Sequence, residues 1–408
     1  MTNGYSRLSL ISGWLVTAGY LGHSIVNITM PRSPKISALR DDLRNWHYLL
    51  GSILLVLVIV RLVAWVKDRG VVPPVGLSPA AFTWGRTLAL ASYTLLLLAP
   101  FLGVLYGWSD GFPLKLFGVP IPALMGEDRA VWMFTGYFHS GMGFMLLVLN
   151  LATMLTLAYT TLRYGRGLLT ALPPGYGAFS LIGLSVTVYA FATFRSPDPG
   201  PRAVAIFLAI CAAVALIGWL IHRGRAREQR LQVPAWAKVA APLGVATIVA
   251  AGAYGPHAMF RVTPWPTTDI VQGGPRERVM EVAIPVETEY ERTVGQETYK
   301  WCRFCHTVKK GEKALVGPNL YAIWGQRAGT APGFAYSAAM MKARDRGLVW
   351  NDKTISDYIE HPDVFMPGTS MIISSGPVSD PKKRQAAINI LKRETMGPEA
   401  DVASPGAH

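Results

Sequence analysis

Cys302, Cys305 and His306 stand in the order C-x-x-C-H. Two thiols at this spacing can add to the two vinyl groups of one haem, and the adjacent imidazole then falls beneath the iron as an axial ligand. A chance match and a small redox pair are the competing explanations of so short a motif, and the residues that follow weigh against both. Met366-Pro367-Gly368-Thr369-Ser370-Met371 offers two thioethers for the opposite face of the iron. Met371 follows a Pro-Gly turn, which presents a loop residue without a helix behind it, and it is the preferred ligand. Met366 precedes the proline and is expected to pack. Thioether ligation favours the reduced iron and raises its potential. In Gly317-Pro318-Asn319-Leu320 the Pro318 carbonyl can accept the ring N–H of His306 and so fix its tautomer. Tyr336 and Trp350 supply polar aromatic groups for a haem propionate. Residues 382–395 read as a closing helix with Ala386, Ile390 and Leu391 on one side.

The elements that must position this chemistry are unusual for a soluble electron carrier. Of 408 residues, 51% are hydrophobic and only 16% are charged, too apolar for two ordinary soluble domains. The apolar residues concentrate before position 257, in stretches near 8–28, 46–66, 86–107, 133–161, 177–195, 203–222 and 236–256. Each approaches the ~20 residues that cross a bilayer core. The expected fold is therefore all-α, a transmembrane bundle of about seven spans followed by a small all-α domain. The first stretch is too long, and lacks the small-residue cleavage site, for a removed signal peptide. Arg223, Arg225, Arg227 and Arg230, with Lys67, Arg69, Arg163 and Arg166, lie on one side if the N-terminus is cytoplasmic. The basic loop at 32–44 breaks that pattern. Seven spans then carry the C-terminal domain to the periplasmic side of a bacterial inner membrane, where haem is attached covalently.

Two histidines in the membrane region form a second constellation, since intramembrane histidines are costly and usually functional. His47 begins the second span and His139 lies near the start of the fourth. Both spans start from the same side, so two imidazoles at similar depth can clamp one haem iron. Gly51 and the glycines at 141 and 143 would let a flat macrocycle approach the backbone. Arg44, with Arg40, stands beside His47 and can pair with propionates. His23 lies near the same depth and is open to three roles: a propionate donor, part of a quinol site, or a replacement ligand. A satisfied buried histidine is the plain alternative. His222 and His257 sit at helix ends, and Cys211 in an apolar stretch is a packing residue.

Two resemblances emerge from these residues. CRFCHTVKKG, GPNL, APGFAYS, the Trp350 region and MPGTSM, in that order over about 292–397, resemble mitochondrial cytochrome c and the related bacterial class I cytochromes. The resemblance implies one-electron transfer with no substrate chemistry at the iron. Extra length between Tyr336 and Trp350, including the charged run 342–346, departs from the pattern. Tyr5-Ser6-Arg7-Leu8, Trp14, the helix from Trp46-His47 to Arg61-Leu62, and the span before Gly111-Phe112-Pro113 resemble the bacterial cytochrome b561 family over about 4–175. That family is a four-helix bundle with two b haems, exchanging electrons with quinones or periplasmic dehydrogenases. Here Gly13 replaces the family's first-helix histidine, and Asn150 and Thr153 stand where the fourth helix should carry its second. Both missing ligands serve the inner haem, which implies one haem b.

The expected domains are a b561-like bundle at 1–175, three additional membrane helices at 176–256, a periplasmic linker at 257–291, the cytochrome c domain at 292–397 and a tail at 398–408. The linker is rich in Pro and Gly. Fully extended, its roughly 36 residues reach about 120 Å, and 279–286 could form a short strand. The expected cofactors are one covalent haem c and one non-covalent haem b, with quinone as a third candidate. The expected iron ligands are His306, Met371, His47 and His139. The expected partners are quinol or quinone, membrane lipid, and an acidic periplasmic redox protein or terminal oxidase. The net charge of +14 need not signal nucleic acid, because it serves topology and the cytochrome surface. There Lys309, Lys310, Lys313, Lys382, Lys383 and Arg384 could steer an acidic partner. Two alternatives differ in class: an anchoring, electron-accepting subunit of a dehydrogenase complex, and a quinone-linked oxidoreductase acting on a small oxidant such as superoxide.

Overall fold

The computed structural model describes residues 5–30, 38–68, 71, 73, 77–111, 114–116, 119–164, 172–192, 235–373 and 376–402. The fold is all-α, and among the described residues one antiparallel hairpin pairs β1 (Lys115–Leu116) with β2 (Val119–Pro120), Leu116 facing Val119. The chain forms two compact units, Met1–Glu127 with Phe138–Gly255, and Asp128–Tyr137 with Pro256–His408.

The first unit is built from α1 (Arg7–Thr29), α2 (Ala38–Lys67), α3 (Pro79–Ser109), α4 (Arg129–Tyr164, whose first turns group with the second unit), α5 (Tyr176–Ala192) and α6 (Ala235–Ala253). Ser6 caps α1 by accepting from the Ser9 amide at 3.2 Å, and Pro79 starts α3 where its missing N–H costs nothing. α1 packs on α2 and α5, α2 on α3, and α3 on α6. Val16, Leu54, Val58, Leu88, Leu149, Tyr176 and Phe179 are buried between them. Outward faces remain apolar too: Ile53, Val56, Ile59 and Val63 of α2 and Leu151 and Leu155 of α4 are exposed. A helix apolar on all sides fits a lipid surround.

Among the described residues four helices are long and apolar enough to cross a membrane: Ala38–Lys67, Pro79–Ser109, Arg129–Arg163 and Ala235–Phe260. The remaining expected spans fare differently. α1 has 23 residues but is diluted by Ser, Thr, Gly and Asn, and the described part of the expected span at 177–195 is α5, Tyr176–Ala192. The expected span at 203–222, with Cys211, His222 and the arginines at 223, 225, 227 and 230, lies outside the described residues.

The second unit contains α7 (Gly255–Phe260, which begins at the boundary), a π-helical turn (Glu291–Gly295), α8 (Gln296–Cys305), α9 (Ala338–Asp345), α10 (Asp352–Glu360), α11 (Pro362–Phe365), α12 (Pro381–Met396) and a 3-10 turn (Pro398–Ala400). Local sequence sets the helix starts. Asn351 and Thr354 form a reciprocal capping box on α10. Asp380 accepts from the Lys382 and Lys383 amides at 2.8 and 3.1 Å at the head of α12. α12 packs on α8 and α10, around a core of Tyr299, Trp324, Tyr336, Trp350, Tyr358, Ile388 and Ile390. The charged run 342–346 is absorbed by the end of α9, and Gly347 takes the left-handed turn after it, φ 83°.

The stretch expected to be a linker is a strap held on this unit. Ile270 bridges Ala335, and the Val271 amide donates to Phe334 O at 3.1 Å. Thr268 Oγ1 donates to Tyr336 O at 2.7 Å. Arg278 donates to Gly397 O at 2.9 Å and pairs with Asp401 at 2.8 Å. Arg261 pairs with Asp363 at 2.5 Å and donates to Thr369 O at 2.9 Å. The Pro and Gly content signals irregular backbone, and that backbone finds its partners across the unit. No strand forms at 279–286; Val282 instead packs on the core.

Candidate functional site

α8 carries Cys302 and Cys305 in its last turn, and His306 is the cap, where an extended backbone (φ −121°, ψ 143°) swings the imidazole off the helix axis. The ring nitrogen Nδ1 donates to Pro318 O at 2.8 Å. That bond fixes the tautomer and leaves the Nε2 lone pair for a metal. Gly317 is required beside it, because a Cβ there would overlap the His306 ring. Burial pushes the Cys302 thiol up to about 12, with Cys305 adding to the effect. Neither thiol is in a disulfide.

Met366 and Met371 part company in the structure. Met366 ends α11 and is buried in the core. Met371 lies at the margin of that core, half-buried. Its amide donates to Thr369 Oγ1 at 3.2 Å, and the Thr369 hydroxyl meets the Tyr358 hydroxyl at 2.6 Å. Tyr336 is buried, its hydroxyl accepting from the Ala331 amide at 3.0 Å. Trp350 is buried against Tyr358, ring centres 5.3 Å apart. Two thiols outside any disulfide, an imidazole with the correct tautomer, a half-buried thioether and a glycine where the ring needs room together fit a covalent haem.

Several of the basic residues expected to steer a partner have structural work. Arg384 pairs with Glu360 at 3.2 Å and donates to Val378 O at 2.7 Å, and Lys310 pairs with Glu277 at 3.1 Å. Lys382 sits over the Tyr290 ring at 4.2 Å.

In the first unit, His47 of α2 and His139 of α4 come together, ring centres 6.0 Å apart and planes at 84°. Two metal–imidazole bonds of about 2 Å, each extended by about 1.2 Å to the ring centre, require roughly 6.4 Å. His47 Nδ1 donates to Asn27 Oδ1 at 2.9 Å, and His139 Nδ1 donates to Ala99 O at 2.9 Å. Each therefore presents an Nε2 lone pair. The other end of the Asn27 amide donates to His23 Nδ1 at 3.1 Å, which puts the His23 proton on Nε2. That Nε2 is buried without a partner. One asparagine thus leaves His47 with an unprotonated Nε2 and His23 with a protonated one. Gly22 and Gly143 face open space, and a Cβ at Gly51 would meet only His23 Nε2, at 3.8 Å. Gly103 is essential in another way, since a Cβ there would lie 2.7 Å from the His139 ring. These residues fit a haem iron held by two histidines. Arg44 pairs with Asp41 at 3.0 Å, and Arg40 donates to Met30 O.

Asn27, Gly103 and Thr369 escaped the sequence analysis. Only Asn27 carried a signal, lying four residues after His23 on one helix face. Among the described residues no group of three or more His, Cys, Asp and Glu side chains could hold a bare metal ion.

Fold and site define an all-helical membrane protein with a c-type haem unit. The chain is 36% identical to cytochrome c2 of Afifella marina over 115 residues, 27% of this chain and 91% of that protein. It is 36% identical to cytochrome c of Arabidopsis thaliana over 94 residues, 23% of this chain and 80% of that protein. It is 31% identical to cytochrome c2 of Blastochloris viridis over 115 residues, 28% and 87% of the two chains. No protein-family model matches the chain. Over about a quarter of its length, the chain belongs to the cytochrome c family. A covalent haem c and a haem electron-transfer role follow from that membership.

Proposed function

We propose that the chain is a membrane-anchored dihaem protein. It passes single electrons between quinol, or another membrane donor, and periplasmic redox partners, through one haem b in a cytochrome b561-like bundle and one haem c. Cys302 and Cys305 form the thioether links, and His306 and Met371 ligate the c iron. His47 and His139 ligate the b iron. When bound, each haem would supply a one-electron couple, with two side chains of this chain holding its iron. The chain's own residues set the couple. Pro318 and Asn27 hold the imidazole tautomers, Tyr358 and Thr369 hold the Met371 loop, and the exposed Lys382 and Lys383 offer positive charge to an acidic partner.

The observation that carries this reading is the His47–His139 pair, with both Nδ1 atoms engaged and both Nε2 atoms left for a metal. The absence of an inner haem b is supported by what fills that region. A Cβ at Gly13 would collide with the Pro174 carbonyl, and the Thr17 hydroxyl bonds both Gly13 O at 2.9 Å and Gly175 O at 3.0 Å. The Tyr176 hydroxyl meets Ser92 at 3.0 Å and Thr153 at 3.1 Å. The head of α5 therefore takes the space that a ligand at position 13 would need. His47→Ala and His139→Ala should each abolish the pyridine haemochrome signal of haem b while haem staining of the c unit persists. Retention of haem b by both variants would defeat the assignment.

A further inference from the structure

Arg276 belongs to the strap, upstream of Cys302, and its guanidinium is enclosed by the c unit. It donates to Asn319 O at 3.4 Å, next to the Pro318 carbonyl that holds His306, and it meets the Tyr336 hydroxyl. Its Nε is buried and has no partner. Burial pulls its pKa below the ordinary arginine value, against the opposing influence of Tyr336. The other strap arginines all have carboxylates: Arg261 has Asp363, Arg278 has Asp401, and Arg292, at the strap's end, has Glu289. Among the described residues none pairs with Arg276, and its neighbour Glu277 is committed to Lys310.

A guanidinium cannot shed its proton in a protein, and a buried charge without a counter-charge is strongly disfavoured. The enclosed Nε–H therefore calls for an anion of the kind a fork of parallel donors recognises, a carboxylate. The strap places it between the His306 acceptor turn and Tyr336, and the carboxylates a c haem brings to such a place are its propionates. We infer that Arg276 is a haem-binding residue whose guanidinium, with the Tyr336 hydroxyl, receives a propionate of haem c. The strap then supplies part of the cofactor site, and haem attachment completes the strap's own packing.

The test uses the full chain in detergent. It reads the midpoint potential of haem c and the propionate bending mode in the resonance Raman spectrum. Losing the guanidinium leaves propionate charge uncompensated near the iron, which favours the ferric state. Arg276→Gln should shift the oxidised-to-reduced ratio at fixed poise by about tenfold, ~59 mV, and move the propionate mode. Arg276→Lys should keep most of the potential, because the charge remains, yet still move the mode, because a point charge cannot replace the fork. Arg278→Gln should change neither. Wild-type potential and propionate mode in Arg276→Gln, with haem fully attached, would overturn the inference. If Arg276→Gln fails to retain haem, Arg276→Lys decides, and an unmoved propionate mode there overturns it equally.

Discussion

At the scale of single residues, the two proposed haem sites follow one device: a fixed acceptor at Nδ1 holds the proton there and leaves Nε2 unprotonated, able to ligate. Pro318 does this for His306, Ala99 for His139 and the Asn27 carbonyl for His47. The reverse end of the Asn27 amide makes His23 a donor. Asn27→Leu should therefore weaken haem b binding by about 10–100-fold, measured by haem loss to apomyoglobin, while His23→Phe leaves binding of the iron intact. A greater loss in His23→Phe than in Asn27→Leu would mean that His23 is the ligand. The c iron offers a parallel choice. Met371→Ala should remove the weak long-wavelength band of sulfur-ligated ferric haem and lower the potential. Met366→Ala should keep the band and cost stability instead, because Met366 is core packing. The opposite pattern would reverse the ligand assignment.

At the scale of elements, α12 and the turn before α8 are latched by charge. Burial alone would raise the Glu291 carboxyl, but hydrogen bonds from Asn389 and Arg393 hold it below the ordinary carboxylate value. Asp352 is depressed in the same way, burial being outweighed by Lys392 and Trp324. A carboxylate depressed in the folded state contributes stability above its unfolded pKa of about 4, which is lost as pH falls through the folded value. The melting temperature of the c unit should thus fall as pH drops below about 4, and Glu291→Gln should flatten that dependence. An unchanged pH slope in the variant would remove the latch. The latch and the strap mark where sequence reasoning stopped. Helices with a strong local pattern were legible: residues 382–395 became Pro381–Met396, and the haem motif with its Pro318 acceptor was readable from spacing. The strap was not, because its partners are Phe334, Tyr336, Gly397 and Asp401. Pairings at such separation leave no local periodicity, so Pro and Gly content alone read as a tether. Gly103 was hidden for the same reason, since its role is the room it leaves on another helix.

At the scale of the whole molecule, the proposal turns on how many electrons the chain can store, and that is set by the number of haems the first unit accepts. Two sequence losses, at Gly13 and at Asn150 with Thr153, could by themselves describe an inner site that is weakened or re-ligated. The packing supports a stronger statement. The turn of Pro174 and Gly175 sits on Gly13, Tyr176 bonds Ser92 and Thr153, and the Tyr176 and Phe179 rings stack with centres 5.7 Å apart. Asn150 lies so close to Gly183 that a Cβ there would overlap its amide. Helix α5, which begins where the b561-like resemblance ends, occupies the volume with its own side chains, and close-packed interiors do not admit a macrocycle without moving helices. Restoring one histidine therefore cannot restore the site. Gly13→His should bring no second haem b and should lower thermal stability, because the new side chain meets the Pro174 carbonyl. The fully loaded wild-type chain should give a haem b to haem c ratio near one in pyridine haemochrome spectra, and a single b-type wave beside the c wave in a redox titration. A ratio near two would overturn the single-site proposal and turn attention to His23 and His257 as ligands. A ratio near one in wild type that rises in Gly13→His would show that the missing ligand, not the packing of α5, keeps the second haem out.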